Sequence, residues 1–175
     1  MRCRLVGSEM CIRDSFKGTK VAWSEFGYYL DERPKFNLDP FWHAGAYYVQ
    51  EASSMFLEQV IKTIRLPKDG IVLDACAAPG GKSTHLRSLL DDETLLISNE
   101  LVPKRNKILQ ENLMKWGHSN YIITQNEIEQ FQQLPHFFDL VVVDAPCSGE
   151  GLFKKDKSAI QEWSEEHVKS CAIRP

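Results

Sequence analysis

The chain has 175 residues, of which 43% are hydrophobic and 26% are charged, an ordinary composition for one globular domain. Its net charge of -3 argues against a broadly basic nucleic-acid binder, so a basic surface must be local or lie elsewhere. Five cysteines without a CxxC pair disfavour a zinc cluster and a disulfide framework. Without an apolar run of 18 residues or a signal-type stretch, we expect no membrane association and a cytoplasmic protein. The sequence leaves the oligomeric state open, and a monomer is the first expectation.

Residues 1–15 differ in character from the rest of the chain, with no helical or alternating period. The string VGSEMCIRDS resembles the translation of a sequencing adapter, and a disordered natural tail is the alternative. Residues 16–45 are aromatic and interrupted by prolines, which is typical of short strands and turns. We therefore predict a non-native or disordered tail over 1–15, an aromatic lead-in over 16–45 and a ligand-binding domain over 46–175.

From residue 48 onward the sequence has the periodicity of regular elements. Apolar spacings of three and four predict a helix from Tyr48 to Arg65. After it, strands alternate with helices, which predicts an α/β fold with a parallel, doubly wound sheet. The strands are expected at 70–75, 95–99, 121–124 and 138–144, and the helices at 81–90, 103–116 and from about 164.

A glycine loop, LDACAAPGGKSTHL, connects the first of these strands to its helix. Ligands of such sheets bind at the carboxyl ends of the strands, where glycines let the backbone approach them. A P-loop would need a glycine at position 76, which is Cys76, so an NTPase is disfavoured. A cradle for S-adenosylmethionine (SAM) fits better. Glu100, at the end of the second strand, is then placed to accept hydrogen bonds from two ribose hydroxyls.

A second informative segment, VVVDAPCSGEG, comes at the end of the fourth strand. Asp144 should lie at the ligand edge of the sheet. Many SAM enzymes that methylate an exocyclic amine have an Asp/Asn-Pro-Pro-aromatic motif here, whereas this chain has Asp-Ala-Pro-Cys with the thiol of Cys147. A thiolate that adds to carbon 6 of a pyrimidine makes carbon 5 nucleophilic enough to accept a methyl group. A base then removes the carbon-5 proton and the thiol leaves. The alternative for Cys147 is a small buried hydrophobic residue.

Three segments in order, YYVQEASSM, DACAAPGGKSTHL and DAPCSGEG, resemble the NOP/Sun-type RNA (cytosine-5) methyltransferases in a bacterial form. The resemblance runs from about Val21 to Arg174. It implies a Rossmann-like SAM-dependent methyltransferase fold, incomplete at its C-terminus, that acts on a cytosine of ribosomal or transfer RNA. Without later strands, the apolar strand FDLVVVD should be an exposed edge.

The same resemblance implies the roles of individual residues. Glu100 would hold the ribose, Asn126 the adenine, and Asp144 would lie beside the methyl donor and the target base. Cys147 would be the second cysteine, which releases the product, because the attacking cysteine belongs to a later Ser-Thr-Cys-type motif that this chain lacks. The residues expected around the methionine and sugar of SAM are Cys76, Ala77, Ala78, Pro79, Gly80, Gly81 and Lys82.

Asn126 is a departure from the family, which often has an aspartate there; an amide can both donate to and accept from adenine. The five histidines have no ligand spacing, so we expect no metal site. A solvated helix face is the first interpretation of Lys104, Arg105 and Lys107, and contact with RNA is the alternative. Lys154, Lys155 and Lys157 favour contact with RNA phosphates. A non-catalytic module that binds SAM and RNA remains the alternative function.

Overall fold

The computed structural model describes residues 3–7, 17–32, 35–145, 149–153 and 158–173. The first of its two sheets is antiparallel and has four strands. They are β1 (Cys3–Gly7), β2 (Gly18–Lys20), β3 (Gly27–Leu30) and β4 (Tyr47–Val49), in the order β2-β3-β1-β4. A short helix α1 (Pro40–His43) begins at Asp39, whose side chain accepts a hydrogen bond from the Phe41 backbone. The sequence predicted no strand within residues 1–15, yet β1 pairs with both β3 and β4.

The second sheet is parallel and four-stranded, and it carries the larger part of the fold. After α2 (Leu57–Thr63), its elements are β5 (Ile71–Asp74), α3 (Gly81–Leu89), β6 (Leu95–Asn99), α4 (Pro103–Trp116), β7 (Tyr121–Thr124) and β8 (Leu140–Val142). The strand order is β7-β6-β5-β8. Apolar runs bounded by glycine, proline or polar residues form these strands, and a helix follows each of β5 and β6. The predicted Rossmann-like α/β fold is confirmed.

Two predicted elements have different limits in the structure. The helix expected from Tyr48 to Arg65 is replaced by β4, a 3-10 turn at Ser54–Phe56 and the shorter α2. The strand expected at 138–144 is only Leu140–Val142, because it pairs with β5 at three positions. Asp139 precedes this ladder, and its side chain accepts a hydrogen bond from the backbone of Ile71.

The two sheets are joined by a buried polar network around Glu58 of α2, which is fully buried. Its carboxylate accepts hydrogen bonds from Ser24, at 2.6 Å, and from the backbone of Glu25, at 2.8 Å. Lys62 lies 2.8 Å from the same carboxylate, and His85 of α3 lies 3.3 Å from it. These hydrogen bonds hold the anionic form and lower the pKa of Glu58, against the opposing effect of its burial.

The segment after β8 contains two helices, α5 (Ser158–Glu162) and α6 (Glu165–Ile173). Only α6 was predicted, and it begins one residue after the expected start at Ser164. β8 lies at one edge of the described parallel sheet, with Val141 48% exposed and Val143 59% exposed. This agrees with the expected exposed apolar edge. Among the described residues, none of the helices is both long and apolar enough to cross a membrane.

Candidate functional site

The predicted ligand-binding residues meet at one edge of the parallel sheet. The loop Cys76–Lys82 follows β5, Glu100 follows β6 and Asn126 follows β7. Asp144 lies two residues beyond β8, on the other side of β5. Because the carboxyl ends of parallel strands lie at the same edge of the sheet, residues that are far apart in the sequence come close together there. The change of direction between β5 and β8 is the switch point where such sheets bind ligands.

Helix α4 fixes the backbone of the glycine loop. The Arg105 guanidinium donates to the carbonyl of Ala78 at 2.8 Å, and the Asn112 amide donates to the carbonyl of Pro79 at 2.7 Å. Gly80 has a φ of 111° and lies against α4, where a Cβ would come within 3.3 Å of the Leu109 side chain. A side chain at position 80 would therefore be strained and crowded. The Ala78–Pro79 peptide is cis.

Gly81 begins helix α3 beneath the end of β4. A Cβ there would lie 3.0 Å from the Tyr48 ring and 3.1 Å from the Gln50 side chain. The N-cap residue, Gly80, offers no side-chain hydrogen bond to the helix. The first backbone N–H groups of α3 therefore have no acceptor within the helix and suit an anionic ligand group.

A cavity of about 450 Å³ opens beside this loop. Its wall includes Cys76 from the loop, Glu100 after β6 and Asn126 after β7. The remaining lining residues are Ala75, Asn99, Leu101, Val102, Arg105, Glu127, Ile128 and Glu129. A cavity of this size, with a few polar groups on a largely pre-formed wall, is typical of a small-molecule site.

Glu100 is only 4% exposed although it carries a carboxylate. One of its oxygens accepts from the backbone N–H of Val102 at 3.0 Å, and the other lies 3.3 Å from Arg105. A carboxylate has about four acceptor positions, so two contacts leave capacity for hydroxyl groups of a ligand in the cavity. Arg105 also bonds the loop at Ala78, so it links Glu100 to the loop.

Asn126 is placed by Asn99 at the end of β6. The Asn99 side chain accepts from the Asn126 backbone at 2.9 Å and donates to its carbonyl at 3.0 Å. The Asn126 side-chain amide donates to Gln130 at 3.0 Å. Its side-chain carbonyl oxygen thus keeps its acceptor capacity, which suits a hydrogen-bonding base in the cavity that Asn126 lines.

Lys82 and Asp144 form an ion pair across the switch point, with 2.5 Å between Nζ and Oδ2. The Asp144 side chain is 57% exposed and the Lys82 side chain is 28% exposed. The contact places the predicted catalytic aspartate beside the glycine loop. Lys82 is accordingly paired with a carboxylate, whereas the disfavoured P-loop assignment would turn it toward phosphates.

Asp74, which the sequence analysis did not select, lies directly beneath the loop. It ends β5 and is completely buried, and it accepts a hydrogen bond from Ser83 at 2.6 Å. Burial raises its pKa to about 6. Burial likewise raises the pKa of the Cys76 thiol, so this cysteine is poorly suited to act as a thiolate. The position of Asp74 at a strand end was the available signal, as it was for Glu100.

Several predictions concern residues that the described ranges do not contain. Cys147 is among them, and so are Lys154, Lys155 and Lys157. Their assigned roles remain predictions. The expectation of a solvated helix face agrees with the exposure of Lys104 and Lys107. Arg105 is also exposed, with 47% of its side chain accessible, and its guanidinium in addition bonds Ala78 and contacts Glu100.

Two family models match the chain. Residues 61–174 match "16S rRNA methyltransferase RsmB/F", and residues 5–52 match the "N-terminal domain of 16S rRNA methyltransferase RsmF". The second match begins inside the predicted tail. The boundary at residue 15 stays a prediction, because neither match tests whether the residues before it are native.

Curated relatives of the chain carry the name ribosomal RNA small subunit methyltransferase F. The protein of Aeromonas salmonicida is 37% identical over 157 residues, which are 87% of this chain and 33% of the relative. That of Vibrio cholerae serotype O1 is 37% identical over 174 residues, which are 94% of this chain and 36% of the relative. The chain thus spans about a third of the length of these relatives.

Solved structures also resemble the chain. A methyltransferase homolog protein from Pyrococcus horikoshii has a TM-score of 0.73 and 27% identity, covering 92% of this chain and 55% of that one. NSun6 from Pyrococcus horikoshii, solved with SFG, has a TM-score of 0.67 and 25% identity, covering 80% of this chain and 35% of that one. Both likenesses extend over most of the described fold.

Proposed function

Because this chain belongs to the 16S rRNA methyltransferase RsmB/F family, we propose that the protein it represents methylates carbon 5 of a cytosine in 16S ribosomal RNA, with SAM as methyl donor. The observation that carries the proposal is the cavity at the carboxyl edge of the sheet, which is lined by Cys76 of the glycine loop, Glu100 and Asn126. We also propose a cytoplasmic location, which ribosomal RNA as substrate supports. The names of the curated relatives support the choice of ribosomal over transfer RNA.

The described residues fit a nucleoside bound through its sugar, base and amino-acid parts. Glu100 has acceptor capacity for ribose hydroxyls, and Asn126 has a carbonyl oxygen for the adenine amine. The first N–H groups of α3 suit the carboxylate of the methionine part. When bound, SAM supplies an electrophilic methyl group. Cys76, Ala77, Ala78, Pro79, Gly80, Gly81 and Lys82 would surround its methionine and sugar.

Asp144 is assigned to the meeting point of donor and base. Its ion pair with Lys82 keeps its carboxylate next to the loop, where it can accept a hydrogen bond from a base amine. Cys147, three residues later, is assigned to the release of methylated RNA. In that step a base removes the carbon-5 proton, and the bond between carbon 6 and the attacking cysteine breaks. The attacking cysteine is expected outside this chain.

Cofactor binding can be tested on the 175-residue chain by titration calorimetry. SAM should bind and ATP should not, because Cys76 stands where a P-loop has glycine. ATP binding of similar strength that is lost in Lys82→Ala would contradict the proposal. SAM binding alone would leave the non-catalytic module as an alternative.

Activity requires the longer protein that contains this chain. With labelled SAM and 16S RNA, it should produce 5-methylcytidine, detectable by mass spectrometry of the digested RNA. A Cys147→Ala variant should accumulate a covalent RNA adduct, seen as a slow, RNase-sensitive band on denaturing gels. Normal turnover by this variant without an adduct would refute the assignment of Cys147. SAM and RNA binding without methylated product would favour the non-catalytic module.

A further inference from the structure

Helix α4 concentrates positive charge in a chain that is negative as a whole. Its 14 residues include four basic side chains and one acidic one, so its net charge is +3, against -3 for the chain. The basic residues are Lys104, Arg105, Lys107 and Lys115, and the acidic residue is Glu111. Because the total charge is negative, any basic surface for a nucleic acid must be local. Helix α4 is such a local region.

The lysines of α4 lie on the side of the helix that faces away from its buried contacts. With about 3.6 residues per turn, residues three and four apart share one side. The buried residues of α4 are Asn106, Leu109 and Leu113. The opposite side, here called the α4 face, consists of Lys104, Ile108, Glu111 and Lys115, with Lys107 beside them. Lys104 and Lys107 are exposed, whereas Lys115 is half-buried.

Neighbouring carboxylates do not neutralise the lysines of the α4 face. Glu111 is four residues from both Lys107 and Lys115, yet the described ranges contain no salt bridge to either of them or to Lys104. The Lys115 ammonium instead lies 4.7 Å from the centroid of the Trp42 ring, in a cation–π contact. The ammonium groups of this face therefore keep hydrogen-bond donors for an anionic partner.

The α4 face extends from the cofactor cavity to the aromatic helix α1. In the first turn of α4, Arg105 lines the cavity and bonds the glycine loop. In its last turn, Lys115 meets Trp42 of α1, and the adjacent Phe41 is 49% exposed. Lys104 and Lys115 are roughly 16 Å apart along the helix, at about 1.5 Å per residue. A row of cations thus links the proposed methyl-donor site to an exposed aromatic ring.

We propose that the α4 face and the ring of Phe41 form a binding surface for single-stranded RNA that flanks the target cytosine. The proposal rests on the proposed function, because it takes RNA as the substrate. The lysines donate to phosphate oxygens, which hold the strand without reading its sequence. Phe41 stacks on an unpaired base. The aromatic ring favours RNA over an acidic peptide, because every base offers a flat face for stacking.

This surface is separate from the place of the target cytosine. The cytosine is assigned to the neighbourhood of Asp144, beyond β8, whereas α4 follows β6 on the other side of β5. The α4 face therefore adds affinity for flanking RNA and takes no part in the chemistry. Its loss should raise the RNA concentration that the enzyme needs and leave SAM binding intact.

The test measures binding of a labelled oligouridylate of about 12 nucleotides, within the usual size of single-strand sites, to the 175-residue chain by fluorescence anisotropy. The triple variant Lys104→Gln/Lys107→Gln/Lys115→Gln should bind about tenfold more weakly at low salt, as expected for three exposed charge contacts. The slope of log affinity against log salt should fall by about 2, because each phosphate contact on a single strand contributes about 0.7. SAM affinity should be unchanged, because these lysines do not line the cavity.

Lys17→Gln/Arg65→Gln/Lys68→Gln is the matched control, because it removes the same charge at exposed positions outside α4. Its RNA affinity and salt slope should stay close to those of the parent chain. Phe41→Ala should weaken RNA binding by about fivefold or more and leave the salt slope unchanged, because stacking releases no counterions. Phe137→Ala, which removes another exposed ring, should bind RNA like the parent chain.

Equal RNA affinities for the α4 triple variant and its control would overturn the proposal, as would a parent chain that binds no RNA. Equal or tighter binding of a duplex of the same length would also overturn it, and so would displacement of the RNA by an acidic peptide of equal charge. Either result would identify a general anion-binding surface. Failure of the parent chain to bind SAM, with the effects on RNA binding intact, would contradict the proposed function and not this surface.

Discussion

The ligand edge of the sheet has two halves that are built very differently. The cofactor half comprises the loop Cys76–Lys82, Glu100 and Asn126, and each of its parts is held by hydrogen bonds from neighbouring elements. The acceptor half comprises Asp144 and the segment after β8. Its described contact with the loop is one ion pair, and the Asp144 side chain is 57% exposed.

The difference between the two halves indicates that this chain by itself builds the cofactor site more completely than the substrate site. The cofactor half uses only β5 to β7 with α3 and α4, which are consecutive in the sequence and pack together. The acceptor half borders β8, whose edge of the sheet exposes the valines at positions 141 and 143. Exposed apolar edges pair readily with other chains. We therefore expect this chain to bind the cofactor by itself, whereas binding of the RNA substrate around the target cytosine should depend on contacts beyond β8.

The largest effect on the cofactor half is expected from Gly80→Ala. At a φ of 111°, a Cβ is strained and would come within 3.3 Å of Leu109, so the loop must move. Strain of this kind costs on the order of 1–3 kcal/mol, which corresponds to roughly 5- to 150-fold weaker SAM binding when relief of the strain moves the loop. Calorimetry provides the measurement. Gly117→Ala, also at positive φ but with no close side-chain neighbour, should lower stability and keep the affinity.

Glu100→Gln should weaken SAM binding by roughly 10- to 30-fold, the scale of hydrogen bonds to a charged group. The amide keeps the shape of the side chain but loses the anion that faces Arg105 at 3.3 Å. Fluorescence or calorimetric titration would measure the loss. Glu111→Gln, on the exposed surface of α4, should bind SAM like the parent chain. Equal affinities for both variants would exclude Glu100 as a ribose ligand.

Sequence alone located most of the cofactor half because its signals are local. Apolar runs punctuated by glycine and proline predicted β6, α4 and β7 with their observed limits, and β5 and α3 to within one residue at each end. Glu100 and Asn126 could be placed because residues that follow parallel strands share an edge. These inferences need no knowledge of distant contacts.

The features that the sequence did not predict depend on contacts with residues far away in the chain. β4 was predicted as the start of a helix because its apolar spacing fits one, but pairing with β1, some 40 residues away, makes it a strand. Arg105 is exposed as predicted, but its hydrogen bond to the carbonyl of Ala78 was missed because that carbonyl lies 27 residues earlier in the sequence. Asp74 was not selected because its burial arises only when β6 and α3 close over it.

The Arg105→Lys substitution should weaken SAM binding less than Gly80→Ala or Glu100→Gln does. Lysine keeps the charge but cannot bond the Ala78 carbonyl and Glu100 with the fixed fork of a guanidinium. Because lysine keeps the positive charge, the loss of this hydrogen bond should cost about 1 kcal/mol, which corresponds to roughly fivefold weaker SAM binding. Arg65→Lys, at an exposed position after α2, is the control and should bind normally. Wild-type affinity in both variants would mean that Arg105 does not hold the loop.

The smallest effect on cofactor affinity is expected from Asp144→Asn, although Asp144 belongs to the predicted catalytic residues. Its ion pair with Lys82 joins two partly exposed side chains, and such pairs contribute only about 0–1 kcal/mol. SAM binding to the 175-residue chain should therefore weaken by at most about fivefold, and the difference should shrink further at high salt because exposed charges are screened. Calorimetry at low and high ionic strength would measure both. A loss of affinity as large as that of Glu100→Gln would place Asp144 in the cofactor half and remove the distinction between the two regions. A small loss, combined with abolished methyl transfer when the same substitution is made in the longer protein, would assign Asp144 to the acceptor half.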